Sequence, residues 1–599
     1  MSTAILTGLP VTGSPLEDDL RALGFTVRHL SEPSDPAALA AELDALPDQS
    51  TVAVVHPGFV GHRHSLRLAL TDPRFDAAAV TGALTTPVAP LRSALTSPGA
   101  PGSLDPDRLA DALTGTGTPV HRPELGTLVA EVPSGEEERQ DARRRVAEVD
   151  EEAVRLRSAV KARDGFFTTF LVSPYSRYIA RWCARRGLTP NQVTTASLLT
   201  ALIAAGCAAT GERAGFVAAG LLLLASFVLD ATDGQLARYA LKYSTLGAWL
   251  DATFDRAKEY AYFAGLALGA ARADGDDVWA LALGAMVLQT VRHVVDFAYN
   301  EAHAHDDGNS SPTAALSQRL DSVGWTVWAR RMVVLPIGER WALIAVLTAC
   351  TTPRVTLTVL LVGCALAACY TTAGRLLRSV NRKGRPYPPA AARALAELAD
   401  SGPLATLAAR LPRPAALPAP ALVLLGGAAL VGVSAWTPLG TWWPVAAVVV
   451  YALLSGLAVA RPLSAPLDWL VPPLLRAAEY GTVLVLAARA QADGVNGSLP
   501  AAFGLVAAVA YHHYDTVYRI RGGTGAPPAL LVRAIGGHEG RTLVVTLAAA
   551  CLLGGTGQGF TIALTALAVA LALAVLWESI RFWVSSQAPA VHDESGEPA

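Results

Sequence analysis

The stretch that decides the reading of this chain runs Asp230-Ala-Thr-Asp233-Gly234-Gln-Leu-Ala237-Arg238-Tyr-Ala-Leu-Lys242-Tyr-Ser-Thr-Leu-Gly247-Ala-Trp-Leu-Asp251-Ala-Thr-Phe-Asp255. It closes one apolar run and opens the next. Asp230 and Asp233 are spaced i, i+3, and Asp251 and Asp255 are spaced i, i+4, so each pair shares one helix face. Two helices joined by the short turn between them can bring all four carboxylates together. Unpaired charges at membrane depth cost about 3 kcal/mol or more each. Four neighbouring carboxylates also repel one another, so protonation or cations must offset them. Hard divalent cations with oxygen ligands suit that need, and Mg²⁺ commonly keeps coordination positions open for phosphate oxygens. Gly234, Ala237 and Gly247 remove side chains from the same faces and leave room for a nucleotide against the backbone. The blander reading is a salt-bridged polar pocket in which Arg238, Arg256 and Lys258 balance the acids.

Outward from this stretch the chain is unusually apolar. Of its 599 residues 52% are hydrophobic and only 16% charged, with a mean hydropathy of +0.36. A soluble protein carries about 25% charged residues, and disorder would require more charge still. Runs of membrane-spanning length are expected near 192–210, 214–232, 246–270, 277–297, 337–352 and 354–376. A second set lies near 419–436, 441–460, 469–490, 499–516, 541–556 and 558–583. Basic residues favour alternate turns: Arg238 with Lys242, the 301–336 loop, the 375–418 linker, Arg461, Arg519–Arg541 and Arg581. The opposite turns are short and carry few basic residues, so the positive-inside rule predicts about twelve spans with both termini cytoplasmic. The site would then lie at the cytoplasmic side of a multi-pass protein of the plasma membrane. Met1–Leu9 lacks a basic start and a long apolar core, so no signal peptide is expected.

Other composition terms exclude more than they assert. A net charge of −2 gives no reason to expect nucleic acid as a partner. The six Cys are scattered without metal-ligand spacing and read as buried thiols rather than a disulfide framework. Lys161, Lys242, Lys258 and Lys383 are the only lysines, an Arg and Ala bias that fits a high-GC bacterial genome.

Eight positions of the quoted stretch, D-x2-D-G-x2-A-R-x8-G-x3-D-x3-D, match without a gap the signature of the CDP-alcohol phosphotransferases, which the chain resembles over about residues 160–380. The resemblance implies a six-helix membrane core that exchanges CMP for an acceptor hydroxyl. Carried over by position, it makes Asp230, Asp233, Asp251 and Asp255 the holders of two Mg²⁺ or Mn²⁺ ions. It assigns Gly234, Ala237, Arg238 and Gly247 to the cytidine diphosphate and makes Asp255 the general base. Lys161-Ala-Arg163-Asp164-Gly165-Phe166 and Leu188-Thr189-Pro190-Asn191-Gln192-Val193-Thr194 resemble the approach to the first membrane helix in enzymes that join CDP-inositol to inositol phosphate. Thr189 and Asn191 are candidate nucleotide contacts, and Thr-Pro-Asn is equally a good helix start. The expected partners are a CDP-alcohol, a hydroxyl acceptor of lipid or inositol-phosphate type, membrane lipids and a second copy of the chain. For a phosphorylated acceptor, Arg177, Arg292, Arg330 and Arg331 are candidate cations, or else ordinary interfacial anchors.

Upstream, residues 1–135 read as a soluble α/β head with a largely parallel sheet, its strands at Ala4–Leu9, Phe25–Leu30, Thr51–His56 and Ala77–Gly82. A cytidylyltransferase head fused to such a core is also the layout of the inositol enzymes. This head departs from that pattern. Its loop Thr7-Gly8-Leu9-Pro10-Val11-Thr12-Gly13-Ser14 has no cation, and His56 stands near where a metal-binding Asp is expected. The head therefore reads as a degenerate nucleotidyltransferase, with His62, Arg63 and His64 as the charges an active one would draw on. Residues 136–187 form a charged connecting helix and an aromatic- and Arg-rich amphipathic helix suited to the membrane interface. Then come the six-span core (188–380), an Arg- and Pro-rich linker (381–418), a second membrane domain (419–585) and a polar, disordered tail (586–599).

The second membrane domain holds its own polar residues: Arg476, Glu479, His512, Asp515, Arg519, Arg521, His538, Glu539 and Arg541. Two readings stay open for them, a site that binds phosphate or metal or moves protons, and a positive-inside loop with interfacial anchors. A transporter or scaffold is the rival reading for the whole chain. Against it, no sequence echo links the two sets of spans, as transporter repeats often would.

Overall fold

The computed structural model describes residues 2–9, 11–30, 36–48, 50–96, 103–161, 164–304, 334–381, 386–412, 417–553 and 558–585. The described residues fall into two compact units. The first comprises Met1–Ala162, Tyr175–Pro190 and Thr232–Ser244, and the second Arg163–Pro174, Asn191–Ala231 and Thr245–Ala599.

The first unit is built on a five-stranded sheet. Strands β1 (Thr3–Leu6), β2 (Thr26–His29) and β3 (Thr51–Val55) run parallel, and β6 (Ala83–Pro87) and β5 (Ala78–Val80) extend the sheet in the order β2-β1-β3-β6-β5. The two-stranded ribbon of β4 (Val60–Gly61) and β7 (Ala130–Glu131) stands apart. Strand periodicity sorts β1 and β3 between two cores. Ile5, Val52 and Val54 pack with Leu39, Leu43, Leu91 and Leu109. Ala4, Leu6, Ala53 and Val55 pack with Leu16, Leu20 and Leu66. Both faces are covered, so these strands are apolar throughout.

The sheet is less parallel than expected. The stretch Ala77–Gly82, expected as one strand, is β5 and the start of a reversal, and β6 pairs antiparallel with both β5 and β3. Gly82 makes the reversal, with φ +77 and Val132 Cγ2 only 2.3 Å from where a Cβ would stand. The connecting segment also differs from one continuous helix. It is two, Glu136–Glu148 and Glu151–Ser158, parted where Asp150 caps the second by accepting from the Ala153 amide at 3.1 Å.

The second unit is helical. Counting from the first long apolar helix, its core contains α1 (Pro190–Ala209), α2 (Arg213–Ala240, of which the part from Thr232 belongs to the first unit), α3 (Thr245–Asp274), α4 (Trp279–His303), α5 (Ile337–Cys350) and α6 (Pro353–Val380). The C-terminal part contains α7 (Ala419–Trp436), α8 (Trp443–Val459), α9 (Val471–Ala492), α10 (Ser498–Arg521), α11 (Gly537–Leu552) and α12 (Gln558–Ser585). Each of the twelve expected stretches is thus helical, but only seven described helices are long and apolar enough to cross a membrane: α1, α2, α4, α6, α7, α9 and α12. Helices α5, α8 and α11 are short, at 14, 17 and 16 residues. Helices α3 and α10 have the length, at 30 and 24 residues, but carry charges. Four of those charges are turned inward: Lys258, Glu259, Asp515 and Arg519 are buried.

Before α1, a π-helical turn (Thr168–Val172) leads into the helix Ser173–Arg185. Phe170, Leu171, Tyr175, Tyr178 and Trp182 of this segment are exposed, as a face meant for the membrane interface requires. The tail 586–599, most of the 301–336 loop, Ala162, Arg163, Arg330 and Arg331 lie outside the described residues.

Candidate metal and nucleotide site

The quoted stretch folds as the end of α2, a turn and the start of α3, and helical periodicity does what the spacing predicts. Asp230 and Asp233 lie one turn apart on α2, and Asp251 lies on α3. One oxygen from each of these three carboxylates comes within 4.8 Å of the others, which is a separation that a single small cation can span. Among the described residues no other group of His, Cys, Asp or Glu has this geometry. The donor set is oxygen only, which fits Mg²⁺ or Mn²⁺ and disfavours softer metals.

Asp255 is not part of that triad. Its Oδ1 accepts from Lys258 Nζ at 3.0 Å, and the same ammonium donates to Asp230 Oδ1. Lys258 is fully buried, one turn along α3, with its ammonium 5.7 Å from the centroid of the Trp341 ring. Arg256 takes no part in this pairing. It binds Glu259 at 3.0 Å, and Arg340 of α5 reaches the same carboxylate at 3.1 Å. The blander reading of the pocket is thus half right, since Lys258 balances the acids while Arg256 pairs elsewhere.

The residues expected to face the nucleotide lie on and around the same helices. Gly234 and Ala237 are on α2, and Gly247 is on the first turn of α3. A Cβ at Gly234 would meet nothing nearer than the Arg238 guanidinium at 3.5 Å, so the surface there is open. Arg238 donates through Nε to the Ala159 carbonyl at 2.6 Å, which fixes its direction from the connecting helix. Neighbouring ties hold the end of α2 in the first unit. Tyr239 donates to Glu152 Oε1 at 2.8 Å and lies 4.2 Å beneath the Arg155 guanidinium. Arg74 stacks 4.3 Å over Tyr243, and Ser176 donates to Gln235 at 2.8 Å. Thr189 immediately precedes α1, whose first residue is Pro190 and whose second is Asn191. Arg292 donates to the Val334 carbonyl at 2.5 Å, and Arg177 lies over the Tyr178 ring.

In the head, two of the three charge candidates are otherwise engaged and the third is buried. His62 Nδ1 accepts from the Val129 amide at 2.8 Å, and Arg63 pairs with Asp19 at 2.7 Å. His64 is buried, and that burial, with Arg155 and Arg67 adding to it, pushes its pKa down to about 3, so the ring is neutral at physiological pH. His56 Nδ1 accepts from the Gly58 amide at 3.0 Å.

The polar residues of the C-terminal part form two buried networks, neither of them a loop of interfacial anchors. In the first, Arg476 and Arg541 each bridge Glu479 and Asp400 at 2.6–3.1 Å, and His512 Nε2 meets Asp400 at 3.1 Å. Glu539 beside it accepts from the Gly402 and Ala405 amides at 3.1 and 3.0 Å. Gly536 and Gly537 let this turn lie against Gly402, where a Cβ would stand 2.1 Å from the Gly536 carbonyl. In the second, Asp515 accepts from Ser579 and Trp583 Nε1 and forms an ion pair with Arg519 at 2.9 Å, and Arg519 also grips Glu578 through two hydrogen bonds of 3.0 and 2.6 Å. Sequence reasoning missed Asp400, Glu578 and Arg340. The C-terminal part also packs on the acid-bearing helix: Arg256 lies 5.1 Å over the Tyr514 ring, and Trp249 stacks on Trp583 at 6.2 Å.

With this geometry in view, residues 187–353 match the model of the CDP-alcohol phosphatidyltransferases. The chain carries a domain of that family. Residues 389–599 match a family of unknown function (DUF5941). The phosphatidyltransferase domain also has named relatives. A bifunctional IPC transferase and DIPP synthase from Aquifex aeolicus is 32% identical over 114 residues, 19% of this chain and 26% of the relative. An archaetidylinositol phosphate synthase from Pyrococcus horikoshii is 37% identical over 91 residues, 15% and 47% respectively. A phosphatidylinositol phosphate synthase from Mycolicibacterium smegmatis is 35% identical over 130 residues, 22% and 56%. The chain therefore spans between about a quarter and just over half the length of these curated relatives.

Proposed function

We propose that this chain is a multi-pass membrane transferase that moves a phosphoryl-alcohol unit from a CDP-alcohol to an acceptor hydroxyl and releases CMP. The observation that carries the reading is the Asp230, Asp233 and Asp251 triad inside a segment that matches the phosphatidyltransferase family. These carboxylates would hold a divalent cation, Mg²⁺ or Mn²⁺, which when bound neutralises the diphosphate and polarises the phosphoryl group. The chain's own groups do the rest. Gly234, Ala237 and Gly247 admit the cytidine diphosphate to the backbone, Arg238 binds its charge, and Thr189 and Asn191 position it at the start of α1. Asp255 takes the acceptor hydroxyl proton as the new O–P bond forms and the P–O bond to CMP breaks. Phosphoryl transfer asks little more than alignment and charge neutralisation, and this residue set supplies both.

Two of the three relatives are named as synthases of inositol phosphate lipids, which supports an inositol-phosphate acceptor or product. Arg177 and Arg292 are the described cations best suited to its phosphate. We place the transferase core at 188–380 and the second membrane domain at 419–585, with twelve spans, a cytoplasmic head and site, a plasma-membrane location and a homodimeric assembly. The test is release of CMP by the full-length protein in lipid nanodiscs with Mg²⁺, inositol phosphate and either CDP-diacylglycerol or CDP-inositol. Turnover with one donor is expected. Binding of both donors without CMP release from either would favour a carrier and overturn the reading.

We also propose that the head is a degenerate nucleotidyltransferase that makes no CTP-derived product. Its loop after β1 has no cation, His62 and Arg63 are engaged within the head, and His64 is buried and uncharged. A triphosphate needs amides, a cation and a metal-bound carboxylate together. Full-length protein given CTP, Mg²⁺ and a set of sugar and inositol phosphates should release no pyrophosphate above a no-enzyme control. Release that disappears on His56→Ala or Gly8→Val would make the protein bifunctional and sink the prediction.

A further inference from the structure

We infer that Lys258 does the work of a second metal ion, so that before the donor binds the carboxylate site takes one divalent cation and not two. The inference rests on the transferase reading above and departs from the two ions that the family resemblance implies.

Two observations carry it. First, Asp255 lies outside the set of three mutually close carboxylates and touches it through Asp230. Asp230, Asp233 and Asp251 each bring an oxygen within 4.8 Å of the others, while Asp255 is tied to Lys258 at 3.0 Å. Second, the ammonium lies where a bridging ion would, donating to Asp230 Oδ1 as well as to Asp255 Oδ1, so that Asp230 joins the triad to the ammonium as a bridging ligand would join two metals. An ammonium has three donors, and two are used here. The Trp341 ring at 5.7 Å lies beside the same charge, and the side chain is fully buried.

On this view Lys258 is a positioning residue. It holds Asp255 in place beside the site, and it holds Asp230 at the edge of the triad.

The experiment is a Mn²⁺ titration of the full-length protein in nanodiscs, without donor, followed by electron paramagnetic resonance. Wild-type protein should bind one Mn²⁺ per chain with the signal of an isolated ion. Lys258→Met, which removes the ammonium but keeps much of the stem, should bind two, with the broadening of a spin-coupled pair. Lys258→Arg should still bind one and guards against misreading a variant that merely misfolds, as does a melting curve for each protein. A coupled pair in the wild type would overturn the inference, and so would a single ion in a folded Lys258→Met protein. If the wild type bound no Mn²⁺ at all, the metal-dependent transferase reading beneath it would fail too, an outcome distinct from a wrong ion count.

Discussion

Replacing Asp255 by Asn is expected to lower CMP release by about 10²–10⁴-fold, the usual contribution of a positioned general base. Affinity for the CDP-alcohol should change little, because the substitution keeps the shape and leaves the triad of Asp230, Asp233 and Asp251 in place. Two effects combine in the loss. The amide cannot accept the acceptor's proton, and Lys258 loses one of the two carboxylates that hold it. Donor binding measured by displacement of a labelled CDP-alcohol separates the base from a mere ligand of the nucleotide. Should Asp255→Asn keep near-normal turnover, the proton must leave by another route and the role assigned to Asp255 is wrong. Asp251→Asn should fail differently, by weakening Mn²⁺ binding directly.

The second large effect is on stability and falls far from that site. Arg541→Met should cost about 3–5 kcal/mol, because breaking a buried ion network strands the remaining charges. Asp400 and Glu479 would then share Arg476 as their one remaining guanidinium, with His512 still on Asp400 and all of them buried. A loss of that size lowers the melting temperature by on the order of 10 °C in a domain of this length. The double variant Glu479→Gln/Arg541→Met should recover part of it, since the two residues are coupled and their effects are not additive. An unchanged melting temperature for Arg541→Met would mean that the network contributes nothing to the fold. It would also reopen a ligand-binding role for these residues.

The carboxylate triad was legible in the sequence because helical periodicity is local: i, i+3 on α2 and a short turn to α3 suffice to bring it together. The pairing of Lys258 with Asp230 crosses from α3 to α2, and no spacing rule reports which of several nearby cations makes it. Asp400 was harder still. It lies in the turn between the helices Pro389–Leu398 and Pro403–Ala408, takes φ +52, and meets Arg476 and Arg541 across 76 and 141 residues. In the head, β1 and β3 show as unbroken apolar runs, whereas the β5–β6 hairpin is short and hidden in one Ala- and Thr-rich stretch, so it reads as a single strand. The twelve helices followed from hydropathy. The five that fall short of spanning length or apolarity owe this to short chain length or to charges that are satisfied inside the protein.

The stacking of Arg256 on Tyr514 and of Trp249 on Trp583 bears on how the protein is made. Helix α3 carries the acids and is too polar to count among the apolar helices, so a ribosome-bound chain delivers to the membrane a segment with little reason to stay there. The aromatic residues that flank it in the finished protein belong to α10 and α12, which emerge on the order of 300 residues later, tens of seconds at about 5–20 residues per second. During that interval α3 depends on α2 and α4, or on an insertion factor, to shelter its charges. A chain cut before α10 would therefore leave an unfinished membrane segment exposed to quality-control proteases, and the C-terminal part would be needed for biogenesis whatever else it does.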